Sequence, residues 1–563
     1  MNATQSLGKR VRHLQRYRQI AQIFIRNGFG WFIDGIGFAE FITLPKRFFT
    51  DAQRRESLST VERIRLVIEQ LGPTFIKLGQ IASLRTDVFP PEFIQELTKL
   101  QDEVPPVPFP QIREIVEMEL GGPLQDTFRT FDETPIGSAS IGQVHRAVLW
   151  TGEVVAVKVQ RPDIERQIRV DLEVLADLAQ MAERRFDWAR LYQVSDVVAE
   201  FTRSLRDELD YTLEGRNADR IRKIFEDDPT VYIPEIYWDL TTPRVLVMEF
   251  VEGIKLKDVQ ALEQAGFDRQ RLAANAARAV FTQLLIHGFF HADPHPGNLA
   301  ALPNHVILFM DFGMVGRLTP DMKDRLASLV VGLMRKNTEL IMRGLYRMGV
   351  VPLDVDDHKL RRDVEMLREK YYDIPLSQIS LASSVNDIFQ VAYRHRIQIP
   401  PDLALVGKTL LTIEGVVEEL DPNFRIMDVA EPFGRQLLKE RLHPRTIGRN
   451  LVSTAMDVTE FLVDFPKQVR FMVQEIGRGK IKVQMEVNEV NTILSKLDRI
   501  SNRLSFSVML LALSIFMAGL LIASALAKSA NLLWRFPLTE VGLILGGVML
   551  VWLIWAIFRS GRM

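Results

Sequence analysis

Not one of the 563 residues is cysteine. Disulfide frameworks, thiolate zinc sites and cysteine nucleophiles are therefore excluded, and the absence fits a reducing, cytosol-facing environment. A surplus of charge is missing as well: 70 Lys and Arg stand against 71 Asp and Glu, for a net charge of −1. Dedicated nucleic-acid binders carry a basic excess, so no nucleic-acid partner is expected. Nor is a secretory leader expected. The N-terminus is basic (Lys9, Arg10, Arg12, Arg16, Arg18), but the apolar run from Ile20 to Ile25 is too short and is closed by Arg26 and, further on, Asp34. It reads first as a solvated helix start and second as a basic amphipathic arm at a membrane surface. No Walker A sequence, internal repeat or low-complexity tract is visible. What is present is a globular composition, 47% apolar and 25% charged, on a chain too long for one ordinary core.

The C-terminal end holds two long uncharged runs. Leu504 to Ala527 would reach about 36 Å as a helix, and Val541 to Phe558 about 27 Å, close to the minimum for a bilayer core. Trp552 and Trp555 lie towards the end of the second run, where interfacial aromatics are common. The expectation is a transmembrane helical hairpin over 504–558, which makes membrane lipids a partner. Arg499, Arg503, Arg559 and Arg562 flank it and favour a cytoplasmic face for the large domain, although Lys528 and Arg535 in the link weaken that vote. A buried helical pair in a soluble core is the competing reading.

Upstream, residues 1 to about 50 read as amphipathic helix with glycine-containing breaks. Ser59-Thr60-Val61-Glu62 has the form of a capping box ahead of the periodic residues Ile64, Val67, Ile68 and Leu71. The proline-rich piece from Val104 to Pro110 marks a boundary. From about residue 128 the period shortens: Gln143–Leu149 and Glu153–Val159 read as strands joined by the turn Trp150-Thr151-Gly152. A long helical stretch is expected from Asp163 to about Glu226, a strand at Arg244–Val251, a buried helix at 270–288 and a strand at Val306–Met310. Helix dominates beyond 320 to about 475. The 488–504 segment is amphipathic, with Val490, Leu494, Leu497, Ser501 and Leu504 on one face, and can pair with a second copy of the chain. The domain expectation is thus a helical extension (1–110), a strand-containing lobe with a helical insert (111–253), a helical lobe (254–480), a linker helix (481–503) and the membrane hairpin (504–558).

The chemistry is concentrated in His291-Ala292-Asp293-Pro294-His295-Pro296-Gly297-Asn298, followed by Asp311-Phe312-Gly313. Phosphoryl transfer from ATP needs the terminal phosphates held by Mg2+, and Mg2+ needs hard oxygen ligands. Asn298 and Asp311 supply such oxygens once a hairpin brings them together, and Asp293 is placed to orient or deprotonate an attacking hydroxyl. A D-F-G tripeptide alone occurs by chance, and a pair of turn aspartates after buried strands is the plain alternative. Order and spacing together carry the ATP-site reading. Lys158, in Val155-Ala156-Val157-Lys158, is the phosphate-pairing lysine this reading needs, although a strand lysine alone more often faces solvent. Gly137, Ser138, Ala139, Ser140, Ile141 and Gly142 stand where a phosphate loop belongs, with alanine and serine in place of several glycines, which predicts a stiffer loop. Glu249 and Val251 end a strand where a hinge would offer its backbone to adenine; an ordinary strand end is the alternative. No A-P-E segment follows Asp311-Phe312-Gly313, so a peptide-docking surface is doubtful.

Lys77-Leu78-Gly79-Gln80 (K-x-G-Q), Glu208-Leu209-Asp210 (E-x-D), the Ala/Ser-rich loop and the His-Ala-Asp-Pro-His-Pro-Gly-Asn segment together resemble the UbiB/AarF family of atypical kinases, from about residue 60 to 320. The C-terminal apolar pair resembles that of bacterial UbiB proteins, hence an inner-membrane location. The resemblance implies an α+β, two-lobed protein-kinase-like fold with an N-terminal extension whose K-x-G-Q segment packs over the site. It implies that Lys77 pairs with Glu208, with Asp210 in the same motif, that Glu214 pairs with Lys158, that Asn298 and Asp311 hold Mg2+, and that Asp293 takes the catalytic position. Family members support biosynthesis of ubiquinone or related isoprenoid quinones and show ATPase activity, so quinone precursors and quinone-biosynthesis enzymes are the implied partners. Gly137, where many members have alanine, departs from the pattern and could loosen the loop and shift nucleotide preference. Two further functions remain open on the residues alone. One is a phosphotransferase acting on a small-molecule or lipid hydroxyl, since the Asp293 segment also resembles aminoglycoside-type phosphotransferases. The other is a nucleotide-binding scaffold without turnover.

Overall fold

The computed structural model describes residues 3–30, 58–83, 89–100, 104–186, 189–190, 193–334, 337–349, 351, 355–371 and 380–442, with isolated positions between 508 and 544. Two compact units emerge, Met1–Arg449 and Asn450–Met563. In the second, Val508, Leu511, Ile515, Phe516 and Ile544 are helical positions with exposed side chains. The expected amphipathic helix over 488–504 and most of the expected hairpin lie outside the described residues. Among the described residues, no helix is long and apolar enough to cross a membrane.

The first unit opens with α1 (Ala3–Arg26), then α2 (Thr60–Leu71) and α3 (Pro73–Ala82). The expected capping box is formed: the Ser59 hydroxyl accepts from the Glu62 amide, and the Glu62 carboxylate accepts from the Ser59 amide. Gly72, at φ +94°, turns the chain between α2 and α3, where a side chain would be strained. After α4 (Phe109–Leu120) come β1 (Phe128–Phe131), β2 (Gly137–Ser138), β3 (Gly142–Leu149) and β4 (Val154–Gln160). The Trp150-Thr151-Gly152 turn joins the last two as expected, with Gly152 at φ +102°.

Helices α5 (Ile164–Arg185), α6 (Val194–Glu208) and α7 (Tyr211–Ile224) follow. They fill the helical stretch expected from Asp163 to about Glu226, divided into three. Gln193, at φ +48°, interrupts it, and Asp210 starts a new helix by accepting from the Thr212 amide at 3.0 Å. Beyond these lie β5 (Val231–Tyr232), β6 (Val245–Glu249), β7 (Ile254–Lys255) and α8 (Arg269–Phe281). One π-helical turn, Thr282–His287, runs from α8 to Gly288. The rest is β8 (Phe289–His291), β9 (Leu299–Leu302), β10 (Val306–Phe309), β11 (Val315–Arg317), then α9 (Pro320–Met334), α10 (Thr338–Met348), α11 (Asp357–Lys370), α12 (Leu381–Arg394), α13 (Pro401–Leu420) and α14 (Ile426–Leu442).

Three sheets position the site. The largest runs β1-β3-β4-β6 with β2 on β3, all antiparallel; the second runs β5-β10-β9-β7; the third pairs β8 with β11. Alternation along β4 divides its residues between two faces. Val155, Val157 and Val159 are fully buried in one cluster with Ile112, Ile115 and Val116 of α4. The opposite face therefore carries Ala156, Lys158 and Gln160. Gln160 donates to the carbonyls of Leu209 (2.5 Å) and Pro243 (3.1 Å), which seats the α6–α7 junction beside Lys158.

Of the basic N-terminal residues, Arg18 is exposed, as a solvated helix start expects, whereas Arg16 turns inward. Ile20, Ala21, Ile23 and Ile25 are buried, and Arg16 reaches across to α5. Its guanidinium donates to both oxygens of the buried Asp171 (2.5 and 3.0 Å) and to the Leu71 carbonyl at the end of α2 (2.7 Å). Thr74, at the start of α3, donates to the same carboxylate at 2.6 Å. One buried acid thus gathers α1, α2, α3 and α5. Removing one partner of such a pair strands the other charge, so Arg16→Met should cost about 3 kcal/mol in urea unfolding, and Arg16→Met with Asp171→Leu should recover much of it.

His145 on β3 makes a second testable tie. Its ring nitrogens lie 2.7 Å from the Asp132 carbonyl and 2.9 Å from the Gln143 amide nitrogen, and Gln143 accepts from the Val107 amide at 2.8 Å. Burial holds the imidazole below its ordinary pKa of 6.5. Between that depressed value and 6.5 the unfolded chain binds a proton that the folded chain refuses, so stability falls as pH drops through this window. Urea midpoints at pH 7.5 and 5.5 should differ less in His145→Gln than in the unsubstituted protein.

Candidate active site

Lys158 projects from the open face of β4 with only 14% of its side chain exposed. Its ammonium donates to both carboxylate oxygens of Glu214 on α7, at 2.7 and 2.9 Å, and lies 3.7 Å from Asp311 Oδ2. Burial would lower the Lys158 pKa, but the charges of Asp311 and Glu214 outweigh it and drive it well above the ordinary lysine value. The Lys158 charge in turn holds the Asp311 carboxyl far below the usual range, helped by the Gly313 amide and by Lys77. Burial pushes Glu214 up, against the pull of Lys158. One ammonium facing two carboxylates leaves a net negative cluster, the electrostatic condition for a cation.

Asp311 begins the link between β10 and β11 at φ +57°, a left-handed conformation that Asp tolerates because its side chain accepts from the Gly313 amide (3.1 Å). Two groups fix this link. The fully buried His291 holds one ring nitrogen 2.6 Å from the Asp311 carbonyl, while its other nitrogen accepts from the Asp293 amide at 3.2 Å. Asn217, one turn beyond Glu214 on α7, donates to the Phe312 carbonyl at 3.1 Å. Asp293 and Asn298 lie in the loop between β8 and β9. The Asn298 side-chain amide donates to the Asp293 carbonyl (3.3 Å), leaving its oxygen as the atom suited to a cation. Among the described residues no group of three or more acidic or histidine side chains could hold a metal alone. Mg2+ asks for less: one or two protein oxygens, with phosphates and water completing the octahedron. Asn298 and Asp311 fit that requirement.

The segment expected to cradle phosphates is a tight hairpin. Ala139 N–H donates to the Gly142 carbonyl at 2.8 Å, and Gly137–Ser138 pair with Gln143–Val144. Arg161, just past β4, staples it by donating to the Ala139 carbonyl (2.8 Å), the Ser138 hydroxyl (2.9 Å) and the Pro105 carbonyl (2.8 Å). Two buried hydroxyls here, Ser140 and Tyr211, have no hydrogen-bond partner among the described residues. Orphaned polar atoms of this kind suit a site completed by a polar ligand. Ile141 is buried beneath them. A side chain at Gly137 would meet nothing within 4 Å, so this position is open to the alanine of the resembled pattern. At Gly142 a Cβ would come within 2.2 Å of the Tyr211 hydroxyl and 2.8 Å of the Val159 carbonyl.

The hinge segment is fastened on both sides: the Glu249 amide donates to the Glu235 carbonyl (2.8 Å) and the Phe250 amide to Val154 (3.0 Å). These bonds use neither the Glu249 carbonyl nor the Val251 amide, the groups an adenine edge would need. The Glu249 carboxylate accepts instead from the Tyr232 hydroxyl at 2.8 Å. Over the site, Lys77 of α3 pairs with Glu208 at the end of α6, Nζ to Oε1 at 2.5 Å. Gly79 lets Leu100 pack closely there: a Cβ would lie 2.2 Å from Leu100 Cδ1 and would force that side chain to move. Asp210 does different work: it caps α7 and so sets the height of Glu214.

Of the residues singled out in the sequence, Lys158, Glu214 and Asp311 meet directly, Lys77 pairs with Glu208, and Asp293 and Asn298 share one loop. Sequence reasoning missed Asn217, Arg161 and Tyr211, which lack a local signature. It also missed Lys408 on α13, whose ammonium stands 3.1 Å from Asp293 Oδ1.

Comparison with known proteins decides the kinship. The ABC1 atypical kinase-like domain matches residues 99–345, the UbiB helical domain residues 364–425, and the ABC1/UbiB kinase-like C-terminal domain residues 488–559. A probable protein kinase UbiB of Xanthomonas campestris is 35% identical over 505 residues, covering 88% of this chain and 91% of its own. The chain belongs to the ABC1/UbiB family of kinase-like proteins. Other similar proteins include an uncharacterised Synechocystis protein, 39% identical over 77% of this chain and 75% of its own. The Arabidopsis thaliana chloroplastic protein Activity of BC1 Complex Kinase 7 is 35% identical over 78% of this chain and 64% of its own. Among solved structures, the complex of Rv3197 with erythromycin from Mycobacterium tuberculosis aligns with a TM-score of 0.47 and 27% identity, covering 63% of this chain and 90% of that one. The mixed α+β fold described above is the kinase-like fold of this family.

The two glycines make a contrasting pair of tests. Gly137→Ala should leave stability within about 0.5 kcal/mol of the unsubstituted protein. Gly142→Ala should cost about 2 kcal/mol by overpacking, with part of the loss restored by adding Tyr211→Phe, measured as a double-mutant cycle in urea.

Proposed function

We propose that this UbiB-family chain is a membrane-associated atypical kinase/ATPase that uses MgATP to support biosynthesis of ubiquinone or a related isoprenoid quinone. The observation that carries the reading is the Lys158–Glu214–Asp311 cluster, with Asp293 and Asn298 on the adjoining loop. Mg2+ held by Asn298 and Asp311 would neutralise charge on the terminal phosphates. Lys158 contributes a fixed ammonium for phosphate oxygens, and Glu214 keeps it from swinging away. Asp293 is the base within reach of an attacking hydroxyl. The carbonyl of Glu249 and amide of Val251 are offered to adenine, and the Ser138–Ile141 hairpin to the phosphates.

Membrane association is supported by the two uncharged runs at 504–527 and 541–558, and by the exposed apolar side chains of Leu511, Ile515 and Phe516. A cytoplasmic-side catalytic unit follows from the flanking arginines. The Lys77–Glu208 pair, covering the place where a peptide would enter a kinase, favours ATP hydrolysis coupled to a lipid substrate over protein phosphorylation. Homodimer formation through the 488–504 segment belongs to the same proposal.

Asp311→Asn and Lys158→Ala, each introduced in the native host, should lower quinone content and abolish Mg2+-dependent ATP hydrolysis by the purified protein. Normal quinone levels in both variants would overturn the reading. Labelled phosphate recovered on a lipid rather than as inorganic phosphate would instead establish the phosphotransferase.

A further inference from the structure

The loop that carries Asp293 has no cation of its own. Between Asp293 and Asn298 stand Pro294, His295, Pro296 and Gly297, and His295 is turned back locally, its Nδ1 accepting from the Gly297 amide at 3.0 Å. Phosphoryl transfer nevertheless spreads negative charge over the equatorial oxygens of the transferred group, next to the base that orients the attacking hydroxyl. Lys158 is held by Glu214 and Asp311, so its charge serves the phosphate oxygens at that cluster rather than the group beside Asp293. The fold places a second cation beside Asp293, from far along the chain.

Lys408 lies at the middle of α13, in the stretch that matches the UbiB helical domain. Its Nζ is 3.1 Å from Asp293 Oδ1, and both side chains are about a quarter exposed, at 26% and 30%. The position is built rather than incidental. The next residue, Thr409, is fully buried; its hydroxyl donates to the Leu405 carbonyl one turn back (2.9 Å) and also stands 3.3 Å from the carbonyl of Ala292, so α13 lies against the backbone immediately before Asp293. The residue before, Gly407, lets the Phe389 ring of α12 come so close that a Cβ would stand 2.3 Å from it. That contact fixes the depth at which α13 lies. Leu403, Ala404 and Val406 share one apolar cluster with Phe290 and Ala292 of the catalytic strand and loop. Three consecutive residues thus seat the helix, present the cation and hold the loop.

We propose that Lys408 is the missing phosphate-site cation: it orients Asp293 before reaction and contacts the transferred phosphoryl group during it. The inference rests on the MgATP reading above. In the step, the oxygen of water or of an acceptor hydroxyl bonds to the γ-phosphorus, and the bond from that phosphorus to the β–γ bridging oxygen breaks. Its electron pair leaves on ADP, and the hydroxyl proton passes to the Asp293 carboxylate. Lys408 neither gains nor loses a proton. Its fixed charge favours the in-line arrangement and the developing charge, so its contribution belongs in kcat rather than in nucleotide binding. The helical region beyond residue 320 is, on this inference, part of the catalytic apparatus and not only packing.

The test uses the full chain in detergent or native membrane, with Lys408→Met, Lys408→Arg and Asp311→Asn beside the unsubstituted protein. Mg2+-dependent ATP hydrolysis gives kcat and KM, and the thermal shift on adding MgADP reports nucleotide binding independently. Lys408→Met should lower kcat about a hundredfold, while KM stays within about twofold and the MgADP shift is retained. Lys408→Arg should recover much of the loss. Hydrolysis abolished by Asp311→Asn but unchanged in Lys408→Met overturns the inference and leaves the MgATP reading standing. Loss of the MgADP shift in Lys408→Met, with no rescue by arginine, also overturns it, since the residue would then be structural. No Mg2+-dependent hydrolysis in the unsubstituted protein removes the reading and the inference together.

Discussion

The cleft depends on a charge imbalance: one buried ammonium, that of Lys158, faces the carboxylates of Glu214 and Asp311. In a low-dielectric setting such a group of three is costly unless its members are held at fixed distances and its surplus charge is met. The architecture around it serves those needs. Burial of Val155, Val157 and Val159 against α4 turns Lys158 to the open face; the Asp210 cap and Gln160 set the register of α7; His291 and Asn217 hold the Asp311 link. Apart from the local Asp210 cap, these contacts join elements distant in sequence, so the site exists only when sheet, helices and link have all docked.

A second layer of acid–base pairs sits above the first. Lys77–Glu208 closes the K-x-G-Q helix over the cleft, and Arg16–Asp171–Thr74 anchors that helix hairpin from behind. The extension before residue 104 is therefore continuous with the body through buried polar contacts, which are directional and specify one docking geometry where an apolar face would allow several.

The sequence made the catalytic segments legible because their chemistry is contiguous: His291 to Asn298 and Asp311 to Gly313 each pack several obligatory residues into a few positions. Strands β3, β4 and β6 were legible from alternation and from the turn at Gly152. Glu214 could be singled out only through resemblance, since one glutamate in a charged helix looks like any other. Arg161, Asn217, Tyr211 and Lys408 carried no local mark at all. Their roles arise from partners 22, 95, 53 and 115 residues away in the chain: Ala139, Phe312, Lys158 and Asp293 respectively. Arg16 escaped notice for a related reason: within a run of basic residues it looks solvated until a buried aspartate is found to receive it.

The Arg161 staple has a consequence for how small molecules could reach the cleft. With its guanidinium bonded to the Ala139 carbonyl, the Ser138 hydroxyl and the Pro105 carbonyl, the hairpin cannot fold inward as a glycine-rich flap does without first breaking several charge-assisted bonds. Inhibitors that gain affinity by drawing a pliant flap down over themselves would find no such cover here. Compounds that fill a rigid, pre-shaped roof would be favoured, which makes chemical selectivity between this kind of site and that of ordinary protein kinases a matter of loop stiffness as much as of pocket lining.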